Sequence, residues 1–309
     1  MHRRKWASRW HYLLVLSLAG SLFSCAPVLE SSRLTALSND YCAPGIAYRQ
    51  DAFIQPNKDT DTLVARHLSA HDYTLAADLG LVPLLAQYLR SVTPTAQLAA
   101  KQKITDRILL LNTEIEAVVA ELDCNGERYD QLARYLAAKN SKRNTRLTVA
   151  SIVAAAAITL STALIKNDDL NKGINIGGGI TGTALGFMLL NPKGRQLKLP
   201  IYRSLLSNVW HEQNADNAFP PALWQMMTDK TFSNEGKLSL IQTLKKRWLL
   251  FVFDGKIDPK EEQLYFGKGG YFSEEDIQHL SDMHNELQAS VRTVAQDMRS
   301  LISSVNNWQ

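Results

Sequence analysis

The sequence carries no nucleophile elbow of the hydrolase type and no Ser, His and Asp set that residue order alone assembles. These absences do not exclude an enzyme, but they leave no residues on which to found one. Aromatic residues are scarce, at 8 % of the chain, yet apolar residues make up 45 %, enough for a chain of 309 residues to bury a core as one or two domains. A net charge of one sign is also missing. The 34 Lys and Arg exceed the 30 Asp and Glu by four, and Arg3, Arg4, Lys5 and Arg9 are four basic residues within the first ten positions. Setting those aside leaves 30 against 30, so the basic footprint of a nucleic-acid binder is absent and no nucleic-acid partner is expected.

Candidate chemistry is thin. His67 and His71 lie four apart on an expected helix with Asp72 adjacent, a spacing that puts two imidazoles on one face. A zincin-type pair needs a Glu between the histidines, and Leu68-Ser69-Ala70 stands there instead. His279 and His284, five apart, point to different sides of their helix. Gly267-Lys268-Gly269-Gly270 lacks the Gly-to-Lys-Ser/Thr spacing of a phosphate loop and reads as a flexible loop framed by aromatics. Asp254, Asp258 and Glu262 recur every fourth residue, but Pro259 intervenes and the alternating ligands of a calcium loop are missing, so they read as a solvated stretch. No metal, cofactor or catalytic residue is expected.

The N-terminus is more informative. The basic first ten residues are followed by an apolar run over 12–23, too short for the roughly 20 residues that span a bilayer. The run ends at Leu22-Phe23-Ser24-Cys25, which resembles the bacterial lipobox, with Leu three positions before the cysteine and a small residue just before it. The resemblance covers only the first 26 or so residues. It implies export, cleavage of residues 1–24, lipid on Cys25 and thus a membrane-lipid partner through that residue. Ala26, not an acidic residue, follows the cysteine, which implies an outer-membrane lipoprotein facing the periplasm. Two cysteines then remain, Cys42 and Cys124, and an oxidising compartment favours a disulfide between them over two unrelated thiols. Such a bridge encloses 81 residues and stabilises by about 4 to 5 kcal/mol in the chain-entropy picture.

Residues 25–58 show no sustained apolar period and read as a lipidated tether and irregular segment; 59–309 read as a helical domain. Over 63–89, Gly80 and Pro83 divide an Ala- and Leu-rich stretch into two short helices. Ile104, Ile108, Leu111, Ile115, Val118 and Leu122 advance by 4, 3, 4, 3 and 4, a coiled-coil or bundle seam that Asn125-Gly126 is expected to interrupt before Tyr129, Leu132 and Leu136 resume it. Ile277, Leu280, Met283, Leu287, Val291, Val294, Met298 and Leu301 form a second seam, with Ser273 and Asp276 at its start in an arrangement resembling a capping box. Short helices follow around 202–210, 222–227 and 237–253, and Phe219-Pro220-Pro221 with Trp224 reads as a rigid, packed turn.

Between the seams, residues 147–165 and 174–190 are respectively 19 and 17 residues without a charge, joined by a short polar connector. They read as a helical hairpin, apolar all round, and thus as buried core or membrane element. Gly178, Gly182 and Gly186 form a glycine-zipper-like stripe; Ala150 and Ala154, continued by Ala157 and Ser161, offer a matching one, so close packing between the arms is expected. Its flanks, Lys139, Lys142, Arg143 and Arg146 before it and Lys193, Arg195 and Lys198 after it, are basic. In an exported chain these charges would oppose ordinary inner-membrane integration.

The expected fold is therefore all-α, an elongated helical bundle around this hairpin, with the seam helices 104–136 and 273–302 beside it. The expected function is a non-catalytic envelope scaffold docking a protein partner. The alternative is a membrane-inserting protein, laid out like helical pore formers, whose hairpin is hidden until insertion.

Overall fold

The computed structural model describes residues 28–29, 41–45, 48, 62–189, 194–232 and 236–308. The expected signal segment 1–24, Cys25 and most of the expected tether to residue 58 lie outside the described residues. The fold is all-α apart from a small sheet. Its helices are α1 (Thr62–Ala65), α2 (Ala70–Asp78), α3 (Val82–Arg90), α4 (Pro94–Leu164), α5 (Asp168–Leu189), α6 (Leu205–His211), α7 (Pro221–Thr228), α8 (Leu240–Phe251), α9 (Pro259–Phe266) and α10 (Glu274–Asn306). Strands β1 (Val28–Leu29), β2 (Gln196–Pro200) and β3 (Gly269–Phe272) form one sheet in the order β1-β2-β3, with β1 parallel to β2 and Val28 opposite Gln196. The chain divides into two units. One comprises Met1–Glu30, Leu132–Lys198 and Tyr271–Glu275 and contains the hairpin; the other comprises Ser31–Gln131, Leu199–Gly270 and Asp276–Gln309 and is a helical bundle.

In the bundle unit the two seams form the core. All eight seam residues of α10 from Ile277 to Leu301 are buried, as are Ile104, Leu111, Ile115, Val118 and Leu122 of α4, while Ile108 is half-buried. Asn125-Gly126 does not interrupt α4, which runs unbroken for 71 residues. The reason lies in its partner helix: the Ser281 hydroxyl of α10 donates to the Gly126 carbonyl at 2.9 Å, and the Asn285 side chain covers the face where a Cβ would sit. A glycine that costs helix propensity of about 1 kcal/mol is thus held by close approach of the neighbouring helix. Gln288 of α10 adds a bond to the Asp123 carboxylate at 2.8 Å.

The stretch 63–89 folds as three pieces instead of two. Gly80, at φ +67°, breaks the chain between α2 and α3, and Pro83 sits in the first turn of α3. A further break before Ser69, whose side chain caps α2 by accepting from the Asp72 amide, separates α1. The segment around Gly267–Gly270 is likewise no free loop, since Gly269–Phe272 is strand β3. Gly269 has φ +76°, and a Cβ there would collide with the Leu199 carbonyl, so glycine alone admits this approach of two strands. The Ile201 amide then donates to Lys268 O at 3.1 Å. Phe266 and Phe272 are buried, and Phe266 stacks on Trp210 with ring centroids 4.4 Å apart. Phe219 is fully buried and its ring lies 5.3 Å from Trp224, so the Pro-Pro turn packs its aromatics inward.

Candidate functional site: the apolar hairpin

The last turns of α4 and all of α5 fold as two arms. None of residues 137–189 is buried. Leu147, Ser151, Ala154, Ile158 and Ser161 are half-buried and advance by 4, 3, 4 and 3, and Asn171, Ile174 and Gly178 continue the pattern on α5, which marks the seam where the arms meet. At Gly178 the Ile158 side chain fills the space a Cβ would occupy. A Cβ at Gly182 or Gly186 would meet nothing within 4 Å, so the expected glycine stripe makes its close contact at Gly178 and not along its length. Ala154 lies on the seam, whereas Ala150 is exposed. The bulky Ile158 fitting one glycine takes the place of an array of small residues.

Two asparagines shape the tip. Asn171 Nδ2 donates to the Ile165 carbonyl at 2.7 Å, satisfying an end-of-helix acceptor of α4, and Asn167 Oδ1 accepts from the amides of Asp169 at 3.1 Å and Leu170 at 3.3 Å. Asp168 and Asp169 stand in the first turn of α5, where the helix dipole favours negative charge. Away from the seam the surface is apolar: Val149, Ile152, Val153, Leu160, Leu164, Leu170, Ile176, Ile180 and Phe187 are between 45 and 79 % exposed. A continuous apolar surface of this extent marks an interaction surface. By length and composition α4 is the one helix among the described residues apolar enough to cross a membrane, with a window of mean hydropathy 2.0 of which none is buried.

The base of the hairpin is organised by Asn140. Its Oδ1 accepts from the Arg195 amide at 2.9 Å and its Nδ2 donates to Glu274 at 3.2 Å, which brings the start of β2 and the start of α10 against α4.

In the bundle unit one buried charge pair stands out. Arg203 makes a bidentate pair with Glu121 at 2.7 and 3.1 Å and donates to the Ala218 carbonyl. Glu121 is 3 % exposed, and its hydrogen bonds hold Arg203 firmly in the charged form. Tyr48 beside them is pushed up by burial and by the Glu121 charge. A cavity of about 10 Å³, the size of a single water, opens here between Glu121, Arg203, Tyr129 and His284. Burial drives His284 down to about 4, so it is neutral, and pushes Tyr129 up. The one serine lining this cavity, Ser204, is engaged as the N-cap of α6, its hydroxyl accepting from the Ser207 amide at 3.0 Å.

The structure places the other sequence candidates separately. Cys42 and Cys124 form a disulfide, with Cα atoms 5.6 Å apart. His67 contacts the Leu63 carbonyl at 2.8 Å and packs edge-on to Trp308, whereas His71 faces Asp72 and, at 3.5 Å, Asp297. Their rings are engaged apart, and among the described residues no group of three or more His, Cys, Asp or Glu is placed to hold a metal. His279 lies 3.3 Å from the Tyr265 hydroxyl, which donates to Asp276. Asp258 caps α9 in a capping box with Glu261, and Glu262 accepts from Trp210 Nε1 at 2.9 Å, so this acidic run has structural partners. Sequence reading missed Asp78, which is 9 % exposed and pushed up to about 7 by burial and by the Asp229 charge. It also missed Glu121 and Arg203, 82 positions apart. A charged residue on the apolar face of a seam helix is the signal for Glu121.

Comparison of the chain with protein-family models, with curated proteins and with solved structures gives no match.

Proposed function

We propose that the protein is a lipid-anchored, non-catalytic scaffold of the bacterial envelope that docks a protein partner through its helical bundle and contacts a bilayer twice, through lipid on Cys25 and through the hairpin. The observation that carries the bilayer contact is the hairpin's exposure: two apolar arms without a buried residue. Their uncharged stretches of 19 and 17 residues correspond to about 28 and 25 Å at the rise of an α-helix, close to the ~30 Å of a hydrocarbon core. The tip bears Lys166 and Lys172 against Asp168 and Asp169, so its formal charge is zero.

Trypsin provides the test. Lys166 and Lys172 are exposed at the tip and are expected to be cut in the lipid-free full chain and spared when it is reconstituted into phospholipid vesicles. Equal cutting at both lysines with and without lipid overturns the bilayer contact.

A further inference from the structure

We infer that the base of the hairpin carries a headgroup site for anionic phospholipid, which sets the depth and direction of hairpin entry; this rests on the bilayer reading above. From residue 131 to residue 167 the chain holds no acidic side chain, while Arg134, Lys139, Lys142, Arg143, Arg146 and Lys166 fall within it. Tyr135, Lys139, Lys142 and Arg146 advance by 4, 3 and 4, one stripe of α4 that ends where the apolar arm begins. The tie from Asn140 to Arg195 fastens β2 beside this stripe, adding Arg195 and Lys198 to the same end of the hairpin. Glu30, Glu274 and Glu275 are the acidic residues of the hairpin unit outside the tip, and Glu274 is engaged by Asn140. The base is therefore strongly positive where the tip is neutral.

Two tyrosines accompany the cations. Lys139 Nζ lies 5.1 Å from the Tyr135 ring centroid and Lys198 Nζ 5.9 Å from that of Tyr271, and the two rings are 36 and 48 % exposed. Exposed tyrosine paired with Lys or Arg at the end of an apolar helix is the composition of a membrane interface, where the ring rests at headgroup depth and the cation meets phosphate. A second copy of the chain would bring an equally positive base against this one, whereas an anionic leaflet complements it. Basic residues on this collar stay outside the hydrocarbon as the neutral tip enters.

The experiment measures amide exchange over residues 147–189 in the full chain as lipid is titrated, using vesicles of phosphatidylcholine alone or with one part in three phosphatidylglycerol. One basic residue near an anionic surface is worth about fivefold in affinity. The anionic vesicles are thus expected to protect the hairpin at a lipid concentration lower by on the order of a hundredfold. The triple variant Lys139→Gln, Lys142→Gln, Arg146→Gln, of which the last two are exposed and the first half-buried, is expected to lose most of that preference while keeping the protection seen on phosphatidylcholine, with exchange in the bundle unchanged. Equal protection on both vesicles, unmoved by the triple variant, overturns the headgroup site and leaves the bilayer reading standing. Protection of residues 135–146 on anionic vesicles with none over 147–189 supports the site and overturns the bilayer reading. Protection nowhere overturns both.

Discussion

His284 and Asp78 pull the stability of the bundle in opposite directions with pH. His284 is buried and neutral, its pKa driven to about 4 by desolvation, so between that value and the ordinary histidine pKa of about 6.5 the unfolded chain binds a proton that the fold refuses. Stability is present above about pH 6.5 and is lost as pH falls toward 4. His284→Gln is expected to flatten that loss in urea titrations across the range. Asp78 is raised to about 7, so here the fold binds the proton that the unfolded chain has released, and stability falls as pH rises from the ordinary carboxylate range to about 7. Asp78→Asn is expected to stabilise the protein above that pH and to change little below the ordinary carboxylate range; no gain at alkaline pH contradicts this assignment. At the Glu121–Arg203 pair, Glu121→Ala leaves a partly buried guanidinium without its carboxylate and is expected to cost about 3 to 5 kcal/mol in denaturant unfolding.

At the scale of elements, the disulfide and the hairpin seam make separable predictions. Cys42–Cys124 closes a sequence separation of 82 residues, and replacing both by serine is expected to lower stability by up to about 4 to 5 kcal/mol, read from denaturant midpoints. In the hairpin, Gly178→Leu has no room beside Ile158 and is expected to part the arms and speed amide exchange across the seam, whereas Gly182→Leu faces open space and should leave exchange nearly unchanged. Both seams were legible in the sequence because burial in a bundle imposes a 3.5 to 3.6 period whatever the partner is. The boundaries were not. Asn125-Gly126 reads as a stop, yet Ser281 and Asn285, more than 150 positions away, hold it in helix, and a local propensity carries no information about such a partner. Gly269 reads as loop for the same reason, since only the Leu199 carbonyl across the sheet makes its missing side chain a requirement. The glycine stripe was legible as spacing but not as contact, because spacing places Gly178, Gly182 and Gly186 on one face without saying how much of that face the other arm reaches.

At the scale of the whole molecule, the two units divide the labour in physical terms. The bundle unit buries its apolar seams and pairs Glu121 with Arg203. The hairpin unit keeps its backbone satisfied internally, through two helices and asparagine-satisfied ends, while leaving its apolar side chains outside, which water disfavours and hydrocarbon accepts. The central claim is that these exposed side chains belong in a bilayer. It is tested most directly by spin labels at Ile152→Cys and Ile176→Cys, outward positions on the two arms, introduced singly in the Cys25→Ser full chain. With phospholipid vesicles present, the account predicts that both labels become accessible to dissolved oxygen and shielded from a water-soluble nickel complex. Labels that remain as accessible to nickel with vesicles as without them would contradict it.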